Sequence, residues 1–169
     1  SAMLWGLPVR VIDVGDRWLA LADNWMAVAH AGNSAFNDLH AIMAFVGTGR
    51  TDAVNEVLEA QEAAMAREDD NAAFTRDVGR PLTLAIKAFA EGDYLTSVEL
   101  IRSVREIAHR FGGSHAQRDL LDLTLIEAAL RGGKKNLAHA LSAERLAIRP
   151  DSPSARLIGE RAGGLRMAA

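Results

Sequence analysis

Three glycine turns constrain this chain more than any other feature. Gly49, Gly92 and Gly133 stand about 40–45 residues apart, a spacing that suggests stacked helical repeats. Each is framed by matching residues. Four positions before the glycines lie Phe45, Ala88 and Ala129, and eight before lie Ala41, Leu84 and Leu125. Five positions after come Val54, Ser97 and Ala138. Nine before stand the polar residues His40, Thr83 and Thr124. A single helix pair cannot bury its own apolar face, whereas three stacked pairs can, with outer helices as caps.

The composition agrees with that reading. Ala and Leu dominate, four prolines are present, and no segment alternates with the period of a strand. Hydrophobic residues make up 49% and charged residues 24%, which excludes a disordered chain and fits one domain of 169 residues. Helix pairs are expected over 34–69, 80–111 and 115–148, flanked by helices over 13–30 and 153–162. In the first flanking helix Trp18, Leu21, Trp25 and Ala29 share a face, as a core stripe would; Trp5 is expected as an exposed contact. Pro81 suits the first turn of a helix, and Ser114 with Gln117 has the form of a capping box. Glu68-Asp69-Asp70-Asn71 reads as a solvated turn, and the last helix is expected to fade at Gly163-Gly164.

Several functions are excluded at once. The absence of cysteine removes disulfides, iron–sulfur clusters, thiol nucleophiles and thiolate zinc sites. A net charge of −3 lacks the basic footprint of a nucleic-acid binder. No apolar run approaches the ~20 residues of a membrane span. The charge and the short apolar runs predict no nucleic-acid or membrane partner, and the missing secretory signal with a pI of about 5.9 predicts a cytoplasmic protein.

The third unit has the most specific pattern. Gly133, Ala138 and Pro150 keep the spacing of a tetratricopeptide repeat, and Gly92-Asp93-Tyr94 is that repeat's usual turn. The fold expected is all-α, a right-handed α-solenoid of stacked antiparallel helix pairs. Four longer motifs narrow the likeness: Val14-Gly15-Asp16-Arg17-Trp18, Phe36-Asn37-Asp38-Leu39-His40-Ala41, Gly112-Gly113-Ser114-His115-Ala116-Gln117-Arg118-Asp119 and Thr124-Leu125-Ile126-Glu127-Ala128-Ala129-Leu130-Arg131. In this order they resemble the tetratricopeptide repeat protein 38 family, over about Leu4 to Ala155. Members of that family are longer, so the resemblance implies a C-terminal portion without the N-terminal repeats. It implies a helical-repeat scaffold that binds a protein or peptide, and supplies no catalytic residues. An exposed apolar face on the first helix would then favour a homo-oligomer or a docking partner.

Two polar groups carry the candidate site. Asn37 and His40 share a helix face beside Asp38, as a polar anchor or half of a metal site would require. Locally, Asp38 complements the helix dipole and His40 takes the place of Thr83 and Thr124, bonding between helices. His115, Arg118, Asp119 and Asp122 fall on one stripe, with Gln117 beside them. Arg118 is the clamp for a carboxylate, such as a partner's C-terminus, or else the i,i+4 mate of Asp122. The motifs Asn37-Asp38-x-His40 and His115-x-Gln117-Arg118-Asp119 would serve a small-ligand site or an enzyme only by meeting in one pocket. No H-E-x-x-H or G-x-S-x-G signature accompanies them, so neither a metal nor a cofactor is expected.

Overall fold

A computed structural model describes residues 2–6 and 15–167. Its helices are α1 (Ala2–Trp5), α2 (Arg17–Met26), α3 (Ala35–Gly47), α4 (Thr51–Met65), α5 (Asp70–Phe74), α6 (Arg80–Ala90), α7 (Tyr94–Val104), α8 (His115–Arg131), α9 (Lys135–Ile148) and α10 (Pro153–Met167). No strand occurs among the described residues, so the all-α class is observed. Asp13 and Val14, at the expected start of the first long helix, lie outside the described residues.

The three glycine turns share one geometry. Gly49, Gly92 and Gly133 have φ of 68°, 82° and 71°, the left-handed region open to glycine. The next residue closes a bond to the carbonyl five positions back: Arg50 to Phe45, Asp93 to Ala88 and Lys134 to Ala129, each at 2.9 Å. Those residues then start α4, α7 and α9 from nearly the same dihedrals, with φ/ψ of −81/74°, −81/72° and −80/61°. Val54, Ser97 and Ala138, one turn on, are all buried. Three helix hairpins result: α3–α4, α6–α7 and α8–α9.

The hairpins join through α3 with α6 and α7 with α8, while α2 packs on α3 and α10 on α9. Phe45, Ile42, Leu82, Ile86, Ile101 and Leu125 fill the shared core. Full burial of a side chain of this size contributes about 1.5–3 kcal/mol. The short α1 is an internal wedge. Trp5 is only 5% exposed, donates its indole N–H to Thr124 Oγ1 at 3.0 Å and meets Phe89 edge-on at 5.7 Å. It is therefore a core residue, not the exposed contact expected; a lone tryptophan near the chain start carries no periodic signal of its partner.

Four boundaries depart from the sequence reading. Helix continues without a break from Asp70 to Ala90 through a π-helical turn at Thr75–Gly79. Arg80 donates to the Thr75 carbonyl five residues back, so the wider turn takes up a proline that cannot donate and would crowd an α-helical carbonyl. Asp69 is an N-cap whose side chain accepts from Ala72 N–H at 2.8 Å, so the acidic run starts a helix as well as turning the chain. α7 tightens after Val104 into a 3₁₀ segment, Arg105–Phe111, which ends at Gly112 with φ of 97°. α10 runs through Gly163 and Gly164, where the sequence predicted fading.

Candidate functional site

The first polar group is built into the start of α3. Ser34 caps the helix, accepting from Asn37 N–H at 3.3 Å. Asn71, brought back by α5, donates to Gly32 O at 3.1 Å and accepts from Ala35 N–H at 3.0 Å. That clamp fixes the turn before α3. Asn37 is exposed beside it, and Asp38 is turned inward with 6% exposure.

Asp38 begins a buried polar chain. Its Oδ2 accepts from Gln61 Nε2 at 3.3 Å, and Gln61 Oε1 accepts from Thr83 Oγ1 at 2.9 Å. Helices α3, α4 and α6 are thereby linked. Burial pushes the Asp38 carboxyl up to about 6, against the Gln61 hydrogen bond and the Arg67 charge. His40 donates from Nδ1 to Phe36 O at 2.8 Å, and its ring lies 4.3 Å from Phe36 and 6.5 Å from Trp25. Its Nε2 is buried with no partner among the described residues. Burial pulls the imidazole below its ordinary range, so it stays neutral. His40 does bond to the carbonyl four back, as Thr83 does to Gly79 O and Thr124 to Leu120 O. The bond between helices, expected at all three, is made by Thr83 and Thr124, and His40 makes none among the described residues.

The second group faces outward. Ser114 and Gln117 form the capping box, with Ser114 N–H donating to Gln117 Oε1 at 2.9 Å. Arg118 does not pair with Asp122. It donates to the Gly112 and Gly113 carbonyls and, at 3.3 Å, to His115 Nδ1, stopping the 3₁₀ segment. Asp122 is taken by Arg105 at 2.8 Å, because the 3₁₀ segment delivers that guanidinium from the preceding hairpin. Arg105 also holds Glu144 through two bonds of 3.1 and 2.8 Å.

Asp119 is more deeply engaged. Arg145 grips both its oxygens at 2.7 and 2.8 Å, and Arg149 adds a bond of 3.2 Å. The Arg145 side chain is 7% exposed and that of Asp119 16%. The Asp119 hydrogen bond raises the Arg145 guanidinium further above its ordinary range. A related knot fixes α10: buried Glu127 accepts from Arg131 at 2.8 Å and from Arg161 at 3.0 Å, and Arg131 lies 5.2 Å over Phe89.

The two groups do not line one pocket. Asn37 and Asp38 border a recess of about 170 Å³ with Trp25 and Val57. His115, Arg118 and Asp119 border an open groove of about 360 Å³ with Arg105, His109 and Arg149. Phe36 is the link between them, ringed by His40 on one side and Phe111 on the other. Gly113 lies so close that an added Cβ would come within 2.5 Å of the Phe36 ring.

Sequence reasoning missed Gln61, Asn71, Arg105, Glu144, Arg145 and Arg149. Gln61 had a readable signal, since a polar residue sat on the apolar stripe of Val54 and Val57. Arg145 likewise continues the buried line of Ala138, Leu141 and Ser142. No group of three or more His, Asp or Glu among the described residues could hold a metal ion, and no helix there is long and apolar enough to cross a membrane. No protein-family model matches the chain, and no solved structure matches it.

Proposed function

We propose that this chain is a tetratricopeptide-like helical-repeat module, an α-solenoid segment akin to the tetratricopeptide repeat protein 38 family, that binds a peptide through the groove at its third hairpin. The single observation that carries the binding reading is the groove's lining. Its rim carries Arg118, His115 and His109 beside Glu106, Asp119 and Asp122, over a floor of buried Leu82, Ile101 and Leu121. Such a rim suits a peptide that presents a carboxylate to guanidinium and imidazole donors. The matching turns at Gly49, Gly92 and Gly133 support the repeat reading. Asp119, Arg145 and Arg105 serve as the frame that holds the groove's walls, with their own charges neutralised within the frame. The module acts as a cytoplasmic scaffold and performs no catalysis.

The test is selection from a library of peptides with free C-termini, followed by fluorescence anisotropy against each peptide's C-terminal amide. The proposal expects saturable binding that falls about tenfold on amidation and again in Arg118→Ala, one lost charge-assisted contact each time. Equal binding of acid and amide by parent and variant would reject the groove as a carboxylate site.

A further inference from the structure

The recess beside α3 has a composition that the peptide-binding reading does not use. Trp25, Val28, Ala41 and Val57 give it apolar and aromatic walls, and Asn33, Ser34, Asn37 and Asp38 are its polar members. Asp38 is the buried one, at 6% exposure, and only its Oδ2 is engaged, by a long 3.3 Å bond from Gln61. Among the described residues no side chain or backbone donor reaches Oδ1, which is open to solvent. Arg67, the cation whose charge reaches Asp38, is held by Gly32 O at 2.5 Å and Asp69 at 3.0 Å. A largely buried carboxylate thus borders the recess with one oxygen bonded to Gln61 and the other open to a ligand. The volume of about 170 Å³ resembles cavities of ~150 Å³ that admit a six-carbon ring.

We propose that this recess binds a small alkylammonium group, its charge on Asp38 Oδ1 and its carbon chain against Trp25, Val28 and Val57. An ammonium has the donors a carboxylate lacks here, and an indole ring attracts a cation. A metal ion would find too few ligands, since no group of three or more His, Asp or Glu among the described residues could hold one. An anion would meet the charge of Asp38.

The experiment compares n-butylammonium with 1-butanol, which has a similar apolar chain and no charge, by amide and indole NMR shifts of the whole chain. At pH 8 the proposal expects n-butylammonium to bind at least about tenfold more tightly than 1-butanol, the value of one modest charge contact. The preference should shrink at pH 5, below the Asp38 value of about 6, where that carboxyl is largely protonated. In Asp38→Asn the two probes should bind within about twofold of each other. A blocked Gly-Lys-Gly peptide distinguishes the ammonium's source: saturation by the peptide points to a protein side chain, and saturation by n-butylammonium alone points to a free amine. If Asp38→Asn does not fold, the pH dependence in the parent decides. Absence of saturable shifts, or a butanol affinity equal to that of n-butylammonium at pH 8, overturns the proposal.

Discussion

Asp38 and Asp119 stand near the starts of corresponding helices, α3 and α8, and meet opposite fates. Asp119 is clasped by Arg145 and Arg149 and serves the frame. Asp38 is more buried yet receives one long hydrogen bond from a neutral amide. The difference lies in what the neighbouring helix offers. α9 presents guanidiniums toward α8, whereas α4 presents Gln61 and Val57 toward α3. A matched ion pair spends a charge on architecture; an under-partnered carboxylate keeps it in reserve, at a cost to stability.

The largest expected effect breaks the matched side. Asp119→Ala leaves Arg145 buried without its carboxylate, so urea unfolding should show a loss of about 3 kcal/mol. A loss below about 1 kcal/mol would mean the pair is solvated and ornamental.

The next effect has the opposite sign. The Asp38 carboxyl titrates at about 6 in the fold against an ordinary 3.8, so the native state holds its proton longer than the unfolded chain. Stability from this group is therefore intact below pH 3.8 and falls as pH rises toward 6, staying low above it. Asp38→Asn removes that penalty, and should raise stability at pH 7 by on the order of 2 kcal/mol. His40 has the reverse slope: held neutral, it favours the fold above its ordinary 6.5 and opposes it as pH falls. In Asp38→Asn the acid side should steepen, because the His40 slope is no longer offset; chemical denaturation at pH 5 and 7.5 reads the change.

Smaller effects sharpen the contrast. Gly113→Ala must place a Cβ against Phe36 at a left-handed φ of 82°, whereas the same change at Gly92 meets open space. Both force a Cβ into the left-handed region, at about 1 kcal/mol, and Gly113→Ala should lose at least about 1 kcal/mol more from the clash. Thermal melts of the two variants give the difference. Arg118→Ala should alter stability least, by less than about 1 kcal/mol, since its bond to the Gly112 carbonyl is exposed and that to the Gly113 carbonyl only partly buried.

The legible part of the fold was its punctuation. A glycine that must take positive φ, with an apolar or small residue one turn away on either side, marks a hairpin in sequence because both requirements are local. The continuous helix through Pro81 was illegible, since nothing local announces a π turn. The capping box at Ser114 was readable for the same reason as the glycines. The partners of Asp38 and Asp119 were not, because Gln61 and Arg145 come from other helices and their facing depends on how the hairpins stack. Polar residues on apolar stripes mark that a buried bond exists, and leave its partner unnamed.

The central claim is that the peptide surface lies at the third hairpin, over a frame of matched ion pairs. Amide NMR shift mapping with a selected peptide bearing a free C-terminus tests it most directly. The account predicts shifts concentrated over residues 105–122 and at Arg149, with α4 and the Asp38 recess unmoved. Shifts confined to α3 and α4, or no saturable shift with any selected peptide, would contradict it.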